Sequence, residues 1–132
     1  MNAKALIAGL GGVALVIGLV AGTGDATGAT EEQVSYKLDV QPILLSRCGE
    51  CHMPGGEGYR ASGLDVSTYA GLMRGTKHGP VVIAGDPLRS NLIVLIEGRA
   101  DPSLRMPHSG PPLLKPQIQI IRDWVKQGAK DN

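Results

Sequence analysis

Two cysteines and a histidine stand within five residues, Cys48-Gly49-Glu50-Cys51-His52, and the 132-residue chain has no other cysteine. Such a pair serves three chemistries: a redox-active dithiol, a zinc site, or covalent attachment of haem. A redox dithiol follows a strand and opens a helix, and no βαβ pattern surrounds these residues. Zinc needs four ligands, and only His78 and His108 remain outside the motif to supply histidine nitrogens. The histidine directly after the second cysteine points to haem. On a helical turn, positions i and i+3 project to one side, so Cys48 and Cys51 can each form a thioether with one vinyl group. His52 then stands beneath the porphyrin as the proximal iron ligand.

The far side of the iron needs its own ligand. Met53 follows the proximal histidine and cannot cross to the other face, and Met73 falls in a predicted helix, where core packing is the ordinary role. Met106 lies in Leu104-Arg105-Met106-Pro107-His108-Ser109-Gly110-Pro111-Pro112, a proline-stiffened loop 54 residues after His52. A thioether offered by such a loop suits haem iron and raises its reduction potential, so Met106 is the expected distal ligand. His78 and His108 are rivals, and either would imply a lower potential.

Four short helices must position these groups. The first runs from Val40 to Arg47, with Asp39 as N-cap and Pro42 in the first turn. A second runs from Thr68 to Arg74, capped by Ser67 and stopped at Gly75. For the third, Asp86 caps, Pro87 takes the first position, and Leu88, Leu92 and Leu95 repeat at helical spacing until Gly98. The fourth opens with Pro116, places Ile118, Ile121 and Val125 on one face, and ends at Gly128. No alternating strand pattern of useful length occurs. The reading is all-α, with long Gly- and Pro-rich loops.

Composition fits a chain whose interior is completed by something other than side chains. There is no Phe, one Trp and three Tyr, and residues 33–132 hold 12 Gly and all 9 Pro. About 100 residues suffice for one domain. Thirteen basic against twelve acidic residues give a net charge of +1 with no block of like charge. Nucleic-acid binding, which needs a basic stripe, is not expected. Lys115, Arg122 and Lys126 share one flank of the last helix and form a candidate docking patch for a redox partner.

The N-terminus carries Lys4 and then an 18-residue run, 5–22, of Ala, Leu, Ile, Val and Gly only. As a helix it would reach ~27 Å, close to the hydrocarbon thickness of a bilayer. Ala14, Gly18 and Gly22 form a small-residue stripe of the kind that lets membrane helices approach closely. Residues 1–22 therefore read as a signal peptide or a retained membrane anchor helix, with candidate cleavage positions after Ala26 or Ala29. In both cases the domain faces the periplasm. Residues 23–35 read as a flexible linker and 36–130 as a single domain.

The ordered set of motifs resembles the planctomycete-type cytochrome c domains, relatives of the class I c-type cytochromes. The resemblance begins with Val40, Pro42, Ile43 and Leu44 before the cysteine motif. It continues through Gly63-Leu64-Asp65-Val66-Ser67-Thr68-Tyr69-Ala70-Gly71-Leu72-Met73 and the run from Gly79-Pro80-Val81-Val82 to Ser90, Leu92 and Ile93. Met106-Pro107 and the closing Ile121, Trp124, Val125, Gly128 and Ala129 complete it, over roughly residues 36–130. Lys115 departs from it, standing where these domains commonly have a Ser or Thr helix cap. The resemblance implies a small class I-like fold with loops wrapped around one covalent haem c. It also implies that the first and last helices cross beside that haem, with His52 and Met106 as axial ligands.

The function expected is outer-sphere electron transfer between redox proteins, such as those of a membrane respiratory or photosynthetic complex, and not catalysis. The alternative is a haem sensor or regulatory haem subunit, which would need a displaceable sixth ligand.

Overall fold

Ser35 starts the helical chain, and its cap is reciprocal. Its hydroxyl accepts from the Leu38 N–H at 3.2 Å, while the Asp39 carboxylate reaches back to the Ser35 N–H at 2.8 Å. Asp39, expected to cap the first helix from in front, thus lies inside a π-helical turn, Tyr36–Val40, that runs straight into α1, Gln41–His52. Pro42 sits in the first turn of α1, where the N–H it lacks has no partner to lose.

The computed structural model describes residues 31–132, which form one unit by themselves. The expected signal or anchor helix at residues 5–22, and the linker as far as residue 30, lie outside the described residues. Among the described residues no helix is long and apolar enough to cross a membrane. Glu31 to Ser35, the end of the expected linker, is bonded to the last helix and to the C-terminal residue. Gln127 accepts from the Val34 N–H at 2.8 Å and donates to the Glu32 carbonyl at 2.9 Å, and Asn132 Oδ1 accepts from the Tyr36 N–H at 2.9 Å.

The described residues contain no strand, and their order is all-helical: α1, then α2 (Glu57–Ser62), α3 (Tyr69–Arg74), α4 (Asn91–Ile96), a 3-10 turn at Pro102–Leu104, and α5 (Lys115–Lys126). Three of these differ from the sequence expectation. The α2 helix was not foreseen, because Glu57-Gly58-Tyr59-Arg60-Ala61-Ser62 has no apolar period. It ends at Gly63, which takes the left-handed conformation (φ 80°) that only glycine adopts cheaply. The α3 cap is Thr68, whose hydroxyl accepts from Gly71 N–H at 3.0 Å, while Ser67 turns to Asp65 instead.

The third difference is the start of α4. Asp86 accepts from both the Leu88 and Arg89 N–H groups, which closes a local turn and not a helix. Leu88 therefore points to solvent, 62 % exposed, and leaves the apolar series that Leu92 continues. The helix begins after Ser90, a fully buried serine that donates to the Asp86 carbonyl at 2.7 Å and accepts from the Ile83 N–H at 2.8 Å. At α5 the cap position is held by Leu114, with Lys115 the first helical residue, and the Gln117 side chain supports the helix start by accepting from the Leu114 N–H at 3.0 Å.

One end of the core is aromatic. Tyr36, Tyr69 and Trp124 meet pairwise at centroid distances of 5.2, 5.4 and 6.4 Å, two of the pairs edge-on. Each such pair adds about 0.5–1.5 kcal/mol beyond its buried area. Trp124 Nε1 donates to the Lys130 carbonyl and the Tyr69 hydroxyl to that of Ala129, so the polar tips of both rings are satisfied. The cluster binds α3 and α5 to the π-helical turn. The last helix meets the N-terminal helical segment chiefly through that turn.

The two halves of the 86–96 segment predict opposite responses. Ser90→Ala removes the buried hydroxyl that joins the Ile83 N–H to the Asp86 carbonyl and is expected to cost about 1–3 kcal/mol in urea denaturation, with the slope unchanged. Leu88→Ser is expected to fall within about 0.5 kcal/mol of the parent, since the residue is on the surface. A large loss at Leu88 would mean that a helix does begin at Pro87.

Candidate functional site

The last turn of α1 presents the motif. Cys48 is half-buried, Cys51 is exposed, and both thiols are free. Gly49 between them is buried, and the helix closes with the Met53 N–H bonded to the Gly49 carbonyl at 3.1 Å. His52 is the final helical residue. Its carbonyl accepts from the Val66 N–H at 2.8 Å, which fixes the extended segment after α2 against the end of α1.

Gly58 in α2 sets where the His52 ring lies. A Cβ at Gly58 would stand 2.7 Å from His52 Cε1 and 3.0 Å from both ring nitrogens. Any larger residue would push the ring away. Nδ1 is sealed from solvent and has no hydrogen-bond partner. Nε2 is therefore the nitrogen left open on the cavity side. Burial, with a smaller contribution from the charge of His108, holds the imidazole pKa below its ordinary value, which keeps the ring neutral and its lone pair available.

Beside this turn lies a cavity of about 450 Å³, within the ~300–1,000 Å³ typical of cofactor pockets. Cys48, Cys51 and His52 line one side, and Leu64, Val66, Val81, Leu92, Leu95 and Ile96 supply apolar walls. Met106, Pro107, His108 and Ser109 line it from the distal loop. The chain thus brings together residues 54 apart in sequence, and Met106 is held by its N–H bond to the Leu95 carbonyl at 3.2 Å. Of the two rival histidines, His108 lines the cavity, whereas His78 sits in the exposed turn at Thr76–Gly79 and does not. Met73 packs against the core and Met53 against Gly49, so neither takes part.

Residues 48–110 match the family model described as Planctomycete cytochrome C. The match agrees with the resemblance to planctomycete-type cytochrome c domains read from the sequence. The match spans every residue lining the cavity except Arg47. Comparison with curated proteins gave no match, and neither did comparison with solved structures. Cytochrome c domains are electron carriers in general, and the family implies haem.

The residues present fit that group on three counts. The cavity walls are apolar as a porphyrin requires, two unpaired thiols stand at one edge, and an uncharged imidazole has one nitrogen open to the space. No cluster of three or more His, Cys, Asp or Glu suited to a bare metal ion occurs among the described residues. Sequence reasoning missed Gly58 and the wall residues Leu64, Val66 and Ile96. Gly58 carries no side-chain signal at all, while the apolar residues look like any other core.

Two tests follow. Gly58→Ala is expected to cost about 1–3 kcal/mol by overpacking the His52 ring. Gly110→Ala, with nothing within 4 Å of a new Cβ, should change stability by less than about 0.5 kcal/mol. In chain produced without haem, burial pushes the Cys48 thiol up to about 11, so at pH 8 it is not ionised. Iodoacetamide at pH 8 is expected to alkylate exposed Cys51 well before Cys48, read by peptide mass; equal rates would refute the buried placement of Cys48.

Proposed function

We propose that the domain carries electrons by outer-sphere transfer, holding one haem c through thioethers at Cys48 and Cys51, with His52 and Met106 as axial ligands. The observation that carries this reading is the convergence of those four residues on a single apolar cavity. When bound, the haem supplies a one-electron ferrous/ferric couple. The chain supplies the rest. Gly58 and the Val66 bond to the His52 carbonyl orient the proximal ring. The aliphatic walls exclude water and lower the local dielectric, which tunes the couple. The loops around the cavity, from Glu57 to Val66 on one side and Met106 to Ser109 on another, are the segments that would wrap the ring.

Cys51 is the exposed member of the pair, so the thioether corner is where a redox protein could approach. The basic flank of α5 offers less than its sequence promises. Arg122 is bound to Glu97 at 2.7 Å and Lys126 to Glu31 at 3.0 Å, which among the described residues leaves Lys115 as the one of the three without an ion pair. With a net charge of +1, long-range steering is weak, and tethering through residues 5–22 at the periplasmic face of the cytoplasmic membrane would raise encounter frequency instead. Partners of this kind are donor and acceptor proteins of a membrane electron-transfer complex.

The competing reading is a haem sensor with a displaceable sixth ligand, and the specific observation in its favour is that His108 shares the cavity with Met106. Pyridine haemochrome analysis of the exported protein should show one haem c per chain. A redox titration should show the sulfur-to-iron charge-transfer band, lost with a fall in potential in Met106→Ala and retained in His108→Ala. Reduced parent protein should refuse carbon monoxide. Rapid carbon monoxide binding would favour the sensor, and survival of the band in Met106→Ala would remove that residue as ligand.

A further inference from the structure

The loop that presents Met106 is weakly tied to its surroundings. At one end the Met106 N–H reaches the Leu95 carbonyl, and at the other the Leu114 N–H reaches Gln117. Among the described residues, 107–113 make no backbone-to-backbone hydrogen bond. Pro107, Pro111 and Pro112 have no N–H to give, but their carbonyls still want donors.

The protein donor that the Pro111 and Pro112 carbonyls find is Arg47. Its Nη2 donates to the Pro111 carbonyl at 2.6 Å and lies 3.4 Å from that of Pro112. Arg47 immediately precedes Cys48 on α1 and lines the same cavity. Its Nε is sealed from solvent without a hydrogen-bond partner, and because the guanidinium is a rigid plane, that buried edge limits how far Nη2 can turn. One side chain thus ties the helix that carries Cys48 and His52 to the loop that carries Met106, across 64 residues of sequence.

We propose that Arg47 is the positioning residue for Met106, a latch that holds the distal loop closed over the cavity. The inference rests on the reading of Met106 as distal ligand. Arg47 lies one residue before the stretch that matches the family. Without the latch the loop samples more conformations, and the fraction with Met106 seated falls. An external ligand that competes for the vacated position then gains apparent affinity by the same factor. Loss of a charge-assisted bond of this kind corresponds to about a tenfold change.

The test uses the full-length, haem-loaded ferric protein and imidazole as the competing ligand. Arg47→Ala is expected to bind imidazole about tenfold more tightly and to lose its sulfur-to-iron band at a lower temperature than the parent. In a Met106→Ala background the same substitution should leave imidazole affinity unchanged, because nothing remains to displace; a merely structural role would act in both backgrounds. Where Arg47→Ala does not load haem, Arg47→Gln keeps the stem but not the reach and serves for the same comparison. Parent-like imidazole affinity in the Arg47 variants, with the band present in the parent, would overturn the latch alone. Absence of the band from the parent itself would overturn the ligand assignment beneath it.

Discussion

A Cβ at Gly58 would stand 2.7 Å from Cε1 of His52, and the absence of that atom decides how α2 lies against the end of α1. Much of the site follows from this contact. The ring lies against bare backbone at the edge of the cavity, with Nδ1 sealed from solvent. With the His52 carbonyl taken by the Val66 N–H, the chain leaving α2 must run along the cavity, which brings Leu64 and Val66 into its wall. A short helix without an apolar stripe is marginal by itself. Here the glycine of α2 lets the imidazole come close to its backbone.

The interior is divided between two regions of different character. At one end Tyr36, Tyr69 and Trp124 gather three of the four aromatic side chains into a single cluster and join the N-terminal turn to α3 and α5. At the other end the side chains are aliphatic and leave a cavity between them. A chain with no phenylalanine cannot fill both regions. Concentrating its aromatics where helices meet leaves the second region to a group supplied from outside the sequence. The low aromatic content and the Gly/Pro-rich loops are thus one fact seen twice.

What the sequence made legible follows the strength of each local signal. Cys48, Cys51 and His52 suggest their chemistry by identity and spacing, whereas Met106 is singled out among four methionines only as the expected distal ligand, with His78 and His108 as rivals. The π-helical turn and α2 were not legible. Ser35 and Asp39 are both good caps, and the tertiary bonds from Gln127 and Asn132 extend the helical chain back to the first of them. Asp86-Pro87 carries the same signature whether it opens a helix or closes a turn, because an aspartate accepting from the next N–H groups serves both. Ser90 decides between them, by burying its hydroxyl against Ile83 and Asp86. That preference is tertiary and leaves no mark in the periodicity. The basic flank of α5 was read correctly as a row of cations but not as paired ones, since Glu97 and Glu31 are distant in sequence.

The distal wall shows why a loop can do the work of a helix here. A methionine on a helix would be fixed by its neighbours' packing, and its thioether would be one more core contact. Residues 107–113 instead contain three prolines, which restrict the unfolded chain and reduce the entropy lost on ordering. The same prolines remove N–H donors, so the loop needs few internal bonds to be satisfied. Its position is then set at a few points only: the Met106 N–H on Leu95, the Pro111 carbonyl under Arg47, and the buried side chain of Leu113. A stiff segment fixed at few points holds one geometry at little entropic cost, yet each point matters more than it would in a helix. Two of the three lie on walls of the cavity itself, at Leu95 and Arg47, so the support of the distal side and the shape of the site are set by the same residues.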